Sequence, residues 1–381
     1  MMVDLRHDEI HMERALELAR AGLGLASPNP QVGCVLINPA GDVIGQGLHV
    51  YDHFDHAEIV ALKQAAAAGH PTLGATAYVT LEPCSHHGRT GPCDKALIEA
   101  RIGRCVIATS DPNPKVSGRG IARLQSAGIA VTVGILQQPA RVLNDAFAFS
   151  ITRQRPFVTL KAGLSVDGQL APSPALRTGT APFFLTGPKA RTDVQSLRHV
   201  SDAILTGIGT VLADSPLLTD RTGLPRRRPL MRVVLDSALR TPLGSSLLHP
   251  LRDDLWIFCS QVAPSPAEEA LLQTGARITR VPETSPGRLD LMAVLHHLHQ
   301  ASLLSVLLEA GSALNGAFLR GNLVDRVILY YAESELGPTA IPFAANSIGP
   351  FALEQSLLDV RRDPIGADIR ISGYLHHPWS A

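Results

Sequence analysis

The sequence predicts an α/β protein made of two successive domains. Three observations predict it. At 381 residues, 45% of them apolar, the chain exceeds one ordinary hydrophobic core. Stretches with strand-like and helix-like patterning alternate along it. Its most distinctive histidine, glutamate and cysteine residues fall where a strand ends and a helix begins, the usual place for a site in an open α/β sheet.

In chain order, Ile10, Ala15, Leu18 and Ala19 recur at helical spacing and predict a helix over residues 8–22, which Ser27-Pro28-Asn29-Pro30 interrupts. Residues 32–37 and 43–50 predict a hairpin around Asn38-Pro39-Ala40-Gly41-Asp42. A helix is expected from His56, a strand over 76–81, and a helix opening near Cys93. A strand over 104–109, a loop over 111–120, a helix to Ala127, a strand over 130–133 and a helix near 138–147 complete a first domain, residues 1–150. Arg153-Gln154-Arg155-Pro156 is the expected linker to a second domain, 156–381, with strands over 157–162, 203–206, 232–236, 255–259, 305–309 and 326–332. No internal repeat is visible.

The chemistry is concentrated in His56-Ala57-Glu58, Glu82-Pro83-Cys84 and Cys93. One imidazole and two thiolates suit zinc and leave a fourth position open for a water that the metal acidifies. In the nucleobase deaminases, a glutamate two residues past the histidine is not a ligand but shuttles the proton, and Glu58 stands there. His-x-Glu alone is commonplace, so the weight lies in its combination with Pro-Cys and a second cysteine on the same loop. The nucleic-acid and nucleoside deaminases close the site with Cys-x-x-Cys; here Ser-His-His-Gly-Arg-Thr-Gly-Pro separates Cys84 from Cys93. His49, His53, His86 and His87 are read as solvated or hydrogen-bonding, and Cys34, Cys105 and Cys259 as small buried hydrophobes.

Composition narrows the function classes. Lys+Arg and Asp+Glu number 34 each, a formal charge of zero, without the basic excess that a nucleic-acid binder needs. The triplet Arg226-Arg227-Arg228 reads as a solvated turn. Five cysteines fit a reducing compartment with free thiols. No apolar run reaches membrane-spanning length, and the charged N-terminus is unlike a signal peptide, so a cytoplasmic protein is expected. In the second domain Gly207-x-Gly209 lacks the third glycine of a dinucleotide fingerprint, and Lys161, Arg198 and Arg221 are candidate anion-binding cations.

The first domain, with Pro28-Asn29-Pro30-x-Val32-Gly33, His56-Ala57-Glu58, Thr80-Leu81-Glu82-Pro83-Cys84-Ser85-His86-His87-Gly88-Arg89-Thr90 and Asp111-Pro112-Asn113-Pro114, resembles the bifunctional deaminase/reductase family of bacterial riboflavin biosynthesis. The second continues it with Lys161-Ala162-Gly163-Leu164-Ser165-Val166-Asp167-Gly168, Arg198, Asp202 to Gly207, Thr210 to Asp214 and Glu309-Ala310-Gly311. The resemblance implies a cytidine-deaminase-like three-layer α/β/α domain followed by a dihydrofolate-reductase-like α/β domain. It implies zinc-dependent hydrolytic deamination of a diaminopyrimidinone bearing a ribosylamino 5′-phosphate, then NADPH reduction of the ribosyl group to ribityl. It assigns zinc to His56, Cys84 and Cys93, proton shuttling to Glu58, NADPH to Gly163, Phe184, Thr210, Asp214 and Gly311, and substrate to Arg198, Leu218, Arg221 and Glu309. A small phosphorylated pyrimidine as partner, no nucleic acid or membrane, and a homo-oligomer are also implied.

The chain departs from the family pattern at Val166, Ser215, Glu335-Leu336-Gly337-Pro338, and residues 169–186, where extra prolines and Phe183-Phe184 replace a Gly-x-Ser-x-Trp segment. A deaminase with a weakened reductase half is therefore one alternative, and a nucleic-acid-editing deaminase another.

Overall fold

The computed structural model describes residues 5–87, 90–114, 116–173, 175 and 183–380. It divides into two compact units, residues 1–153 with 225–228, and residues 154–224 with 229–380.

The first unit contains α1 (Leu5–Ala21), β1 (Gly33–Ile37), β2 (Val43–Leu48), α2 (Ala57–Ala67), β3 (Thr76–Val79), α3 (Cys93–Glu99), β4 (Arg104–Ile107), α4 (Arg119–Ser126), β5 (Ala130–Val133), α5 (Gln137–Leu143) and α6 (Asp145–Arg153). Its sheet runs β2-β1-β3-β4-β5, antiparallel across β2-β1-β3 and parallel from β3 to β5. Side-chain alternation sends Cys34 and Leu36 of β1 to one face, against Ala57, Ala61, Leu97 and Leu124 of α2, α3 and α4. Val35 and Ile37 face the other way, against Met12, Ala15, Leu16 and Ala140 of α1 and α5. The result is the expected three layers.

Glycines set the layer spacing. A Cβ on Gly33 would lie 1.9 Å from the Ala15 carbonyl oxygen, and one on Gly47 would lie 2.4 Å from that of Ala57. Hence α1 and α2 approach the sheet more closely than any larger residue allows. The single helix expected near 138–147 is two, because Asn144 ends α5 to bond Gln31: its Oδ1 accepts from the Gln31 N–H at 2.7 Å and its Nδ2 donates to the Gln31 carbonyl at 3.0 Å. The arginine triplet is not a solvated turn. It belongs to this unit, where the Arg227 guanidinium lies 3.9 Å from the Tyr51 ring centroid and bonds Asp52 at 3.0 Å.

The second unit contains β6 (Phe157–Leu164), β7 (Gln169–Ala171), α7 (Pro188–Val200), β8 (Ala203–Gly207), α8 (Ile208–Asp214), β9 (Met231–Leu235), β10 (Leu255–Ser260), α9 (Ser265–Gln273), β11 (Arg277–Val281), β12 (Glu283–Ser285), β13 (Arg288–Leu289) and α10 (Leu291–Gln300). It continues with β14 (Ser305–Leu308), α11 (Ser312–Arg320), β15 (Arg326–Tyr331), β16 (Ile341–Pro342), α12 (Pro350–Glu354), β17 (Leu358–Ile365) and β18 (Asp368–Tyr374). The main sheet has nine strands in the order β11-β10-β9-β8-β14-β6-β15-β18-β17. It is parallel from β11 to β15, and β18 and β17 close it antiparallel. Val158, Leu160, Ala162 and Leu164 of β6 join Leu295, Leu298 and Phe318 of α10 and α11 in the largest core, and Ile204, Ile208 and Val211 anchor another. The carboxyl ends of the central strands β9, β8, β14 and β6 lie side by side.

Candidate functional site

In the first unit the site grows from the start of α2. His56 is the residue before the helix, extended at φ −75° and ψ 161°, and its side chain makes no capping bond to the helix. Glu58 lies in the first turn, where the positive end of the helix dipole favours a carboxylate. Cys84 follows β3 and Cys93 is the first residue of α3. The Asp94 N–H donates to the Cys84 carbonyl at 3.2 Å and the Cys93 N–H to the Cys84 Sγ at 3.4 Å, which ties the two ends of the long loop together. His56 Nδ1 stands 3.2 Å from the Cys93 Sγ and 3.5 Å from the Cys84 Sγ.

These three residues are the one group of three potential ligands that converges among the described residues, with all ligand atoms within 4.8 Å of one another. Tetrahedral zinc with one nitrogen and two sulfur ligands requires N···S edges of roughly 3.5 Å, so the residues fit zinc. Hydrogen bonds from Cys93 and His56 lower the pKa of the Cys84 thiol, against the effect of burial. Burial, and next the Cys84 thiolate, push the buried Glu58 carboxyl up to about 7. Its acid is thus poised near neutrality, as proton transfer requires.

The surrounding groups hold this geometry. The buried Glu82 carboxylate accepts four backbone N–H bonds, from Asp111 (3.2 Å), Gly118 (3.0 Å), Gly120 (3.0 Å) and Ile121 (3.3 Å), and so fastens the loop before α4 beside Pro83-Cys84. Arg123 of α4 donates to the Ser85 carbonyl at 3.0 Å and lies 3.1 Å from the Asp94 carboxylate. The sequence showed Glu82 in the motif but not its role, because a clamp made of backbone donors leaves no side-chain spacing, and Arg123 escaped the reading altogether. His49 is no ligand: its ring nitrogens meet Asn29 Nδ2 at 3.0 Å and the Asp55 carbonyl at 2.9 Å. His53, His86 and His87 are exposed, and Gly88 and Arg89 lie outside the described residues. Cys34, Cys105 and Cys259 are free and buried.

The second unit holds a cavity of about 1090 Å³ at the carboxyl ends of the parallel strands, lined among others by Gly163, Phe184, Arg198, Thr210, Asp214, Arg221, Glu309 and Gly311. Gly163 comes from β6, Thr210 and Asp214 from α8, and Glu309 and Gly311 from the turn between β14 and α11. The Leu218 side chain is 4% exposed and packs in the core with Ile208 and Val211, so only its backbone is available to a ligand.

Arg198 is less free than the resemblance implies. Its Nε and Nη2 donate to the two Glu309 oxygens at 2.8 and 3.0 Å, with Lys161 Nζ 3.6 Å from Oε2. Burial alone would raise the Glu309 pKa, but the cations Lys161 and Arg198 outweigh it and hold the carboxyl at about 2. Arg221 stands exposed on the cavity rim. Of the departures, Ser215 is no part of the wall and meets the Ser246 hydroxyl at 3.1 Å. The Leu336-Gly337 turn is held by Asp167, which accepts both N–H groups at 3.1 and 2.9 Å. Residues 176–182 lie outside the described set, while Phe184 lies under the Arg191 guanidinium, 5.1 Å from its ring centroid.

Residues 5–109 match the cytidine and deoxycytidylate deaminase zinc-binding region, and residues 156–357 match the RibD C-terminal domain. The riboflavin biosynthesis protein RibD of Escherichia coli (strain K12) is 41% identical over 345 residues, 87% of this chain and 89% of that protein. RibD of Bacillus amyloliquefaciens is 36% identical over 371 residues, 96% of this chain and 95% of that one. Among solved structures, Acinetobacter baumannii RibD, form 1, aligns with a TM-score of 0.82 at 34% identity, covering 97% of this chain and 99% of that one. A diaminohydroxyphosphoribosylaminopyrimidine deaminase/5-amino-6-(5-phosphoribosylamino)uracil reductase from Thermotoga maritima aligns at 0.82 and 30%, covering 98% and 99%. The chain belongs to the RibD family of riboflavin biosynthesis proteins, with a zinc-type deaminase unit followed by a reductase unit.

Proposed function

We propose that the chain carries out two successive steps on one phosphorylated pyrimidine: hydrolytic deamination of 2,5-diamino-6-(5-phosphoribosylamino)pyrimidin-4-one to 5-amino-6-(5-phosphoribosylamino)uracil, then NADPH reduction of its ribosyl group to ribityl. The observation that carries the reading is the convergence of His56, Cys84 and Cys93 around a buried glutamate, in the same chain as a cation-lined cavity large enough for two ligands.

His56, Cys84 and Cys93 would hold zinc, which when bound supplies Lewis acidity to a water at its open position. Glu58 would carry one proton from the attacking water to the ring nitrogen as the C–O bond forms at C2, and a second, from the hydroxyl now on C2, to the amine as the C–N bond breaks to release ammonia. Glu82 and Arg123 keep both cysteines and the loop over 111–121 in register for this exchange. In the second unit Gly163, Phe184, Thr210, Asp214 and Gly311 would seat NADPH, which supplies the hydride. Opening the ribosyl ring also requires a proton on its ring oxygen, and Lys161, steered by Glu309, is the N–H donor on that wall. Arg221 would take the substrate phosphate, with Arg198 orienting Glu309.

Zero net charge supports a small-molecule substrate over nucleic acid. No described helix is long and apolar enough to cross a membrane, which supports a cytoplasmic location. The exposed edge strand β17 supports a homo-oligomer. The test is mass spectrometry of the product formed by purified protein from the diaminopyrimidinone ribosylamino phosphate. Exchange of an amino group for oxygen, with two hydrogens added only when NADPH is present, is the expected result. Exchange alone would leave a deaminase with a weakened reductase, and no change would reject the substrate.

A further inference from the structure

Between α8 and β9, residues 215–230 form neither helix nor strand, and a long irregular stretch inside a compact unit is usually tied to function. Two of its residues face opposite ways. Leu218 turns into the core, while Arg221 stands exposed on the rim of the large cavity. An arginine side chain has many rotamers, so one carried by such a stretch meets a ligand reproducibly only if its backbone is held.

One face of α7 holds it. Gln195, Arg198 and His199 stand at i, i+3 and i+4 of that helix, which places them together, and each grips a different point. Gln195 Oε1 accepts the Arg221 N–H at 2.9 Å, Arg198 Nη1 donates to the Thr219 carbonyl at 3.0 Å, and His199 Nδ1 meets Asp220 Oδ2 at 2.9 Å. Gln195 and Arg198 also line the cavity. His199 and Asp220 lie behind the wall instead, with side chains 6% and 8% exposed.

Asp220 brackets the arginine. Its Oδ1 accepts the N–H and the hydroxyl of Thr222 at 2.9 and 2.8 Å, so one carboxylate spans the residues on both sides of Arg221, and His199 fastens that carboxylate to the helix. Burial would raise the Asp220 pKa, but the bonds from Thr222 and His199 prevail and lower it, which keeps it an acceptor. The imidazole donates through Nδ1–H in its neutral form as well as its charged one. The helix has other anchorage, since Ala190 and Val194 bury it against Ile328 and Tyr330, and Leu218 anchors the irregular stretch. What His199 adds is the place of Arg221.

We propose that His199 is a positioning residue for the reductase step: through Asp220 it fixes the backbone of Arg221, so that the guanidinium meets the phosphate of the pyrimidine substrate. The inference rests on the reductase reading above and on Arg221 as its phosphate contact. It is tested on the full-length zinc-loaded protein by steady-state reduction of 5-amino-6-(5-phosphoribosylamino)uracil with NADPH. His199→Leu, which keeps bulk without the donor, is expected to raise the KM for the pyrimidine about 10-fold, the worth of one charge-assisted bond, with kcat and the KM for NADPH unchanged. His199→Asn, which offers an N–H near the place of Nδ1, restores most of the affinity. Thr222→Val, which removes one of the other donors to Asp220, raises the same KM by less. Arg221→Ala raises it too, and adding His199→Leu to that variant changes little further, because the two act through one contact. A wild-type KM in His199→Leu overturns the proposal, as do effects of His199→Leu and Arg221→Ala that simply multiply. Equal loss of NADPH affinity in His199→Leu also overturns it, since that marks a residue needed only for folding. Wild-type protein that reduces nothing, or Arg221→Ala with an unchanged KM, overturns instead the reading on which it rests.

Discussion

Replacing Glu309 with Gln removes the one carboxylate between Arg198 and Lys161 while keeping the side chain's size. The magnitude follows from the native ionisation. A carboxyl held at about 2 against an ordinary 4.5 is stabilised by about 3 kcal/mol as the anion at neutral pH, and the loss leaves two cations facing each other in a partly closed cavity. For a unit of this size that corresponds to a fall in Tm of about 6–12 °C. The pH dependence has a definite sign. Because the native pKa lies below the unfolded one, the stabilisation is fully present above about pH 4.5 and is lost as pH falls through about 2. At pH 3.5 about 2 kcal/mol of it remains. Both tryptophans, Trp256 and Trp379, lie in the second unit, so intrinsic fluorescence during urea unfolding reports on that unit alone. The gap between wild type and Glu309→Gln should hold from pH 7 to 5.5 and narrow by a third by pH 3.5. A gap that is absent at pH 7, or flat down to pH 3.5, refutes the idea that the two cations dictate the state of Glu309.

Glu58→Ala is expected to lower deamination about 10²- to 10⁴-fold while one equivalent of zinc stays bound. Ammonia release and metal analysis check this together, and full activity would sink the proton-shuttle role. Cys93→Ala, by contrast, should lose the metal and deamination alike, with NADPH binding retained. In the first unit the Asp8 carboxylate, 1% exposed, accepts two Arg104 bonds at 2.8 and 2.7 Å and one from the Tyr78 hydroxyl at 2.9 Å. Burial raises its pKa, but these donors prevail and lower it overall. Asp8→Asn should cost about 2 kcal/mol at pH 7, seen as faster amide exchange along α1. The effect should shrink below the ordinary pKa of 3.8, as the wild-type carboxylate also protonates on the way down through its lowered native value.

The deaminase centre was legible because its parts are local. His56 and Glu58 share one helix start, Cys84 and Cys93 share one loop, and the required spacing is written in two short segments. The reductase cavity was legible only by resemblance, and the reason is distance along the chain: Arg198 and Glu309 meet across 111 residues, from α7 and from the end of β14. Periodicity found the central strands, whose both-face burial produces apolar runs such as Leu255–Ser260, but missed the two edge strands and β18 beside one of them. Leu358–Ile365 is exposed along most of its length and carries Pro364, so it shows neither an apolar run nor alternation, and Arg277–Val281 at the opposite edge is charged for the same reason. Leu218, matched to the site by its motif, turns its side chain into the core from a backbone at φ 52°.

The contrast has a geometric root. Metal ligands must converge on a single atom, so their donors gather within 4.8 Å and two loops suffice to supply them. A dinucleotide and its substrate must be held along a row of strands, each contributing one or two residues from its carboxyl end, and the parallel connections between those strands scatter the contributors through the sequence. A site of the first kind leaves a motif. A site of the second kind becomes visible only in the fold, where Lys161, Arg198 and Glu309 come together from three distant stretches of the chain.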